Sequence, residues 1–381
     1  MIFYLSLILL FFWLWVTLDY VIGISFKTPQ LKKLINRKLD TFPKISIIFS
    51  AKDEAQSVGS ALDSMLKQHY TNFEVIAVND RSSDGTLSII KKYSQDSRLK
   101  ILDINHLPDG WLGKNHALYQ ASKQATGEWL LFTDADVEFH PSVLTLSMRA
   151  VLIDQLDHLV VIPKMITTKL IEKIFVRFFV LMFNRRFRPW EALSPKSKSF
   201  IGIGAFNFIR KSVYEAIGTH KRLALSVVDD MDLGKMVKLK CFRQRAYVGT
   251  DFLTVPWVSG WNGVVRSIDK NAFAAMGFNF GLLAVVVLGG MLVDILPFVM
   301  IFLAQGIPFW LCLGVIFCIF CCYFFSRKYD SGFYSTFIFH PVASILFLMI
   351  ICRSAWLVIR QGGVVWRNTF YPIKMLQKGI Q

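Results

Sequence analysis

The chain has 381 residues, of which 54% are hydrophobic and 18% charged, and its formal net charge is +16. So apolar a composition excludes a wholly water-soluble protein and points to segments that cross a bilayer. The positive charge does not indicate nucleic acid, because basic residues cluster beside apolar segments: Lys27, Lys32, Lys33, Arg37 and Lys38 follow the first of them directly. That pattern fixes membrane topology and touches anionic lipid.

Residues 1–26 are apolar apart from Asp19 and have no basic residue ahead of the apolar run. This argues for a transmembrane helix rather than a cleaved signal peptide, whose n-region is basic and whose h-region is shorter. Residues 27–277 read as a polar domain. Residues 278–359 read as C-terminal transmembrane helices: two spans over 278–325, separated by the turn-like Gln305-Gly-Ile-Pro308, and a third apolar stretch, Phe333–Ile359, that contains Pro341 and Arg353. A basic tail, 360–381, closes the chain. The positive-inside rule puts the N-terminus outside, residues 27–277 in the cytosol, and the whole in the cell membrane as a multi-pass protein. If all four segments span, the tail lies outside with Arg360, Arg367, Lys374 and Lys378, against the same rule. Either Phe333–Ile359 is re-entrant or interfacial, the preferred reading, or the tail breaks the bias.

From Lys44 the chain alternates β-branched runs with amphipathic stretches. Strands are predicted at Ile45–Phe49, Phe73–Val78, Leu99–Ile104, Trp129–Thr133 and Leu159–Ile162, with helices at Glu54–Lys67, Thr86–Tyr93 and Lys114–Ala125. Such alternation means an α/β fold with a mostly parallel sheet, whose ligands sit at the carboxyl ends of the strands. Three of those ends are acidic: Ser50-Ala-Lys-Asp53-Glu54, Asn79-Asp80-Arg-Ser-Ser-Asp84-Gly85, and Thr133-Asp134-Ala-Asp136. Asp134 and Asp136 leave a buried strand together and suit a hard divalent cation carrying phosphate oxygens. The competing reading for Asp53, Ser82 and Asp84 is capping or turn formation.

No Gly-x-Gly-x-x-Gly follows the first strand, and no P-loop is present. A nucleotide held without a glycine cradle needs a metal for its diphosphate and side chains for base and ribose. Of the six cysteines only Cys241 lies in the polar region, and none has metal or disulfide spacing. The stretch Ile174–Phe183, followed by Arg185, Arg186 and Arg188, reads as an interfacial helix over 174–188 lying in the headgroup layer; a buried core helix is the alternative.

With these residues in place, the region 44–270 resembles the family 2 glycosyltransferases. Ile47-Ile-Phe-Ser-Ala-Lys-Asp53-Glu54 and Val78-Asn-Asp80-Arg-Ser-Ser-Asp84-Gly85-Thr86 look like its nucleotide motifs, Trp111-Leu-Gly-Lys114-Asn-His116-Ala resembles a segment near the nucleotide, and Asp134-Ala-Asp136 matches the metal motif. Gly202–Gly218 is similar to the acceptor-side strand and helix, and Val228-Asp229-Asp230-Met-Asp232-Leu233 to the acidic catalytic motif, with Asp229 where Glu is common. The Gln-x-x-Arg-Trp motif of processive synthases is missing; Trp261–Arg266 is the nearest run. The layout, and the tail run Val365–Tyr371, resemble membrane-bound bacterial enzymes that glycosylate carotenoid acids or act beside hopanoid synthesis, although Asn368 replaces their usual Gly.

The resemblance implies a GT-A-like nucleotide-diphospho-sugar transferase fold, a UDP-sugar donor with glucose as the sugar, Mg²⁺ or Mn²⁺, and a lipid-soluble acceptor reached from the membrane. It implies donor contacts from Ser50, Asp53, Glu54, Asp80, Asp84, Lys114 and Asp134, and metal contacts from Asp136 and Asp134. The catalytic motif is Asp229, Asp230 and Asp232, with Asp230 as base and inversion as the outcome. His116 is open between a diphosphate role and an ordinary helix histidine. A polyprenyl-phosphate sugar transferase and a non-catalytic membrane scaffold are the competing readings.

Overall fold

The computed structural model of the protein describes residues 2–256, 260–366 and 369–378. The chain forms two compact units: one comprises residues 1–28, 167–188 and 257–366, the other 29–166, 189–256 and 367–381.

The second unit is built on a seven-stranded sheet. Its strands are β1 (Ile45–Ala51), β2 (Phe73–Asp80), β3 (Leu99–Ile104), β4 (Trp129–Asp134), β6 (His158–Ile162), β8 (Asn207–Arg210) and β9 (Gln244–Val248), while β5 (Glu138–Phe139), β7 (Lys164–Met165) and β10 (Leu253–Val255) make a small second sheet. The main order is β3-β2-β1-β4-β8-β6-β9, with every pairing parallel except the two that β8 makes. This is the mostly parallel α/β sheet read from the sequence. β1 and β2 are buried along their whole length, which is why they read as continuous apolar runs rather than as alternating ones.

Two boundaries differ from expectation in a way that matters. β2 and β4 run one or two residues further than the apolar pattern, so Asp80 and Asp134 are the last residues of their strands, and Ser50 of β1 is in register with Asp134. The helix expected from Glu54 starts at Val58 instead. Asp53 adopts a left-handed backbone, φ 55°, and the N–H groups of Glu54 and Ala55 are held by Thr86 Oγ1 and Asp84 Oδ2 of the neighbouring loop, so this stretch is a loop ahead of the helix.

Among the described residues, the first unit holds four helical segments long and apolar enough to cross a membrane: Ile2–Lys27, Phe280–Leu303, Ile307–Lys328 and Phe333–Gln361. With them pack the helices Leu170–Phe187 and Gly260–Ala275. The arginines of Leu170–Phe187 and its cap are paired inside this unit: Arg177 with Asp330, Arg185 with Asp294, and Arg188 with Asp19. Arg186 instead stacks over Phe187. Of the sequence runs singled out above, Arg367 and Asn368 lie outside the described residues, as do the side chains of Trp261 and Trp366.

Candidate active site

Lys114 organises the site. It is the second residue of the helix Gly113–Gln124, and its Nζ lies 2.8 Å from Asp134 Oδ1 at the end of β4 and 3.6 Å from Asp229 Oδ2. Burial alone favours a neutral amine, but the charges of Asp134, Asp229 and Asp230 outweigh it and hold the ammonium well above the usual lysine range.

Asp229 and Asp230 open the helix Asp229–Leu239, where the N-terminal dipole favours carboxylates. Asp230 is further fixed by two backbone donors, Gly204 N–H and Met231 N–H, each at 2.8 Å. Burial raises both carboxyls, that of Asp229 to about 7 against the opposing pull of Lys114. Asp232 faces a different partner, accepting a hydrogen bond from Ser226 Oγ.

Small residues permit this convergence. A Cβ at Gly202 would overlap the Asp230 carbonyl, one at Gly204 would press on Asp134 Oδ2, and one at Gly234 would overlap the Ile201 carbonyl. Larger residues there would push the acidic helix off the sheet edge. A pocket beneath Lys114 is lined by Phe132, Asn207, His220, Asp229, Asp230 and Leu233. His220 is fully buried; desolvation, with the Lys114 charge, pushes its pKa down to about 3, so it is neutral.

Asp136 stands beside this group. Burial and the charges of Asp134 and Glu54 push its carboxyl up to about 7. A site that disfavours its own ionised carboxylates is one that gains by admitting a cation.

The β1 and β2 loops are tied to each other. Asp53 Oδ1 accepts from Ser83 N–H at 2.7 Å, Ser82 Oγ accepts from Asp53 N–H, Thr86 Oγ1 accepts from Glu54 N–H, and Asp84 accepts from the N–H groups of Ala55 and Thr86. The carboxylates of Asp53 and Asp84 thus shape the loops, and Asp84 makes the turn that capping foresaw. Asp80 is buried and held by Arg81 through two hydrogen bonds of 2.7 and 3.1 Å. Ser50 is buried at the same edge. His116 contacts Gln120 at 3.0 Å and stands edge-on to Trp111.

Sequence reasoning gave Asn115 no role. Its Nδ2 donates to the carbonyls of Leu223 and Ser226 at 2.6 and 2.9 Å, and Leu112 N–H donates to Ala224 O. These bonds lash the Lys114 helix to the loop preceding Asp229. An asparagine beside a charged motif residue was the available signal, but its partner lies more than a hundred residues away.

Residues 46–218 match the family model described as Glycosyl transferase family 2. A 4,4'-diaponeurosporenoate glycosyltransferase of Staphylococcus haemolyticus is 27% identical over 203 residues, which is 52% of this chain and 52% of that protein. A poly-beta-1,6-N-acetyl-D-glucosamine synthase of Staphylococcus epidermidis is 29% identical over 134 residues, 34% of this chain and 32% of that protein. The chain thus spans between about a third and about half of the length of these curated relatives. Among solved structures, the mannosyltransferase PcManGT of Pyrobaculum calidifontis, in complex with GDP-Man and Mn2+, aligns with a TM-score of 0.50 at 15% identity, covering 94% of this chain and 98% of that one. That likeness establishes the GT-A-like fold.

Proposed function

We propose that the protein is a membrane-bound, inverting glycosyltransferase that moves a sugar, glucose in the first instance, from a UDP-sugar to a lipid-like acceptor such as a carotenoid acid at the cytosolic membrane face. The observation that carries this is the convergence of Asp134, Asp229 and Asp230 on Lys114 at the carboxyl edge of a family 2 domain. The diaponeurosporenoate relative supports the acceptor class, and the four apolar helices support a membrane setting.

In this reading Lys114 stabilises charge on the departing diphosphate, since a buried ammonium needs no reorganisation as that charge develops. Asp230, fixed by two backbone N–H groups and only partly buried, takes the proton of an alcohol acceptor; with a carboxylate acceptor, already ionised, it orients instead. Asp229 tunes the Lys114 charge. Asp80 and the β1 and β2 loops shape the base and ribose end.

Asp134 and Asp136 fit a hard divalent cation. Among the described residues no group of three or more His, Cys, Asp or Glu side chains is arranged to hold a metal, and Mg²⁺ in particular is commonly bound through one or two carboxylates plus substrate phosphates. Asp136, whose carboxyl is pushed up to about 7 by burial and by the charges of Asp134 and Glu54, is the direct ligand in this reading. When bound, Mg²⁺ or Mn²⁺ supplies Lewis-acid neutralisation of the leaving diphosphate.

The tail bears on topology. Residues 369–378 cluster with residues 29–166 in one compact unit, which supports the reading that the chain between them crosses the bilayer an even number of times. Three apolar helices lie in that interval, and Phe333–Gln361, which carries Arg353 and packs on Gly260–Ala275 and Leu170–Phe187, is the one that stays on the cytosolic side.

The test is mass spectrometry of membrane lipids from cells with and without the protein, paired with labelled UDP-glucose and membranes. A glycosylated apolar acid or alcohol is the expected product. An acid-labile polyprenyl-phosphate sugar would overturn the acceptor assignment.

A further inference from the structure

His220 shares the pocket beneath Lys114 with Asp229, Asp230 and Asn207, and the proposed transfer step does not use it. It sits in the short helix Thr219–Arg222, which packs on the Lys114 helix, and it is 1% exposed. Its Nδ1 lies 2.8 Å from Tyr214 Oη, and its backbone N–H donates to the same oxygen at 3.0 Å. The ring stands edge-on to Phe132, another residue of the pocket lining, with centroids 4.6 Å apart.

The hydrogens of this corner can be assigned one by one. Ser122 Oγ, on the Lys114 helix, donates to Tyr119 O at 2.8 Å, so toward Tyr214 it can only accept. Tyr214 Oη lies 3.2 Å from Ser122 Oγ and donates to it. Were the phenol hydrogen turned to His220 instead, two buried oxygens would face each other with no hydrogen between them. Tyr214 Oη is therefore an acceptor toward His220. In the neutral ring Nδ1 then carries the hydrogen and Nε2 the lone pair. The series His220, Tyr214, Ser122 ends on the Lys114 helix itself, so the ring and that helix are held in one register.

The free volume of the pocket is about 10 Å³, the order that one water molecule requires. Its polar lining offers such a water an ammonium to accept from, and carboxylates and an imidazole to donate to. We infer that His220 is a positioning residue for Lys114: its Nε2 lone pair faces the pocket and accepts a hydrogen bond from the ammonium through a single water, and Tyr214 and Ser122 fix the one tautomer that can do so. The inference rests on the proposed role of Lys114 in glycosyl transfer. A histidine that only filled the core would need its Nδ1 bond to Tyr214 and nothing at Nε2.

The experiment compares the full-length membrane protein with His220→Asn, His220→Gln and Tyr214→Phe, using labelled UDP-glucose and reading kcat, donor KM, acceptor KM and Tm. Asparagine places its amide where Nδ1 was, so it keeps the bond to Tyr214 and loses the pocket acceptor; kcat is expected to fall roughly tenfold or more with acceptor KM retained. Glutamine reaches as far as Nε2 and is expected to recover most of that loss, although its Tm drops as much as that of the asparagine variant. Tyr214→Phe keeps the ring stacked near Phe132 but frees the imidazole to carry its hydrogen on Nε2, so kcat is expected to fall by a similar factor. An asparagine variant as active as wild type, or a glutamine variant no better than asparagine, would overturn the proposal. If both His220 variants lose the fold, Tyr214→Phe decides: an unchanged kcat overturns it. A wild type that uses no nucleotide sugar would instead overturn the proposed function.

Discussion

The two units treat acidic side chains in opposite ways. In the membrane unit Asp19, Asp294, Asp330 and Asp269 each face an arginine: Arg188, Arg185, Arg177 and Arg353. At the sheet edge of the catalytic unit three carboxylates converge on the single ammonium of Lys114, and Asp136, Asp229 and Asp230 are all pushed toward their protonated forms. Matched pairs hold helices together where an unpaired charge is prohibitive. Crowded, partly desolvated carboxylates oppose folding instead.

Breaking the crowded cluster is expected to have the largest effect, and on activity rather than stability. Asp230→Asn should lower kcat with an alcohol acceptor by roughly 10² to 10⁴-fold, with UDP affinity preserved. With a carboxylate acceptor the loss should be much smaller, because no proton has to move. Equal losses of several decades on both acceptors would refute the base role. Asp136→Asn is expected to reduce metal-dependent transfer on the order of 10³-fold, the equivalent of several kcal/mol of lost charge stabilisation. Its Tm should hold or rise, since a buried repulsion is relieved; a clear drop in Tm would mean that Asp136 is structural.

The matched pairs should respond the other way. Arg185 lies 2.6 Å from Asp294, which is buried, and stacks over Trp13. Arg185→Met keeps the aliphatic stem but leaves Asp294 with only the buried His340, 3.5 Å away, at an expected cost of about 3 kcal/mol. The double variant Arg185→Met with Asp294→Asn should recover most of it, measured as thermal stability in detergent. A single variant as stable as wild type would remove the contrast between the two units.

How much of this was legible beforehand follows the range of the contacts. The strands β1 to β4 announce themselves as β-branched runs, and because they are parallel their acidic ends had to meet. The Asp-x-Asp pair was therefore found from local pattern, whereas the Asp229–Asp232 run, which opens a helix, was singled out by its resemblance to a family motif. β9 was missed: it carries Gln244, fully buried, which donates to Gly234 O and accepts from Ile201 N–H, and a polar residue satisfied by distant backbone looks like loop in sequence. The reversal of β8 is equally invisible, since Asn207–Arg210 spells a strand but not its direction. The partners of Asn115 are set by tertiary closure over more than a hundred residues, which no local periodicity encodes.

The smallest effect concerns stability against acid, and it comes from a histidine that the catalytic unit buries with no charged partner. His158, at the start of β6, has no exposed surface, and its Nε2 lies 3.1 Å from Asn207 Oδ1. Desolvation pushes its pKa from 6.5 down to about 4, opposed only by the hydrogen bond to Asn207. The unfolded chain therefore binds a proton at a pH where the folded one does not. By linkage the stabilisation is fully present above about pH 6.5 and drains away as pH falls toward 4. Asn207 also lines the pocket beneath Lys114, so protonation of His158 would disturb the floor of the site. His158→Gln, which keeps a donor for Asn207, should flatten the Tm profile between pH 6.5 and 4 while lowering the plateau slightly. An unaltered slope would assign the acid sensitivity elsewhere, with His220 the next group to replace, because desolvation and the Lys114 charge hold it neutral down to about 3.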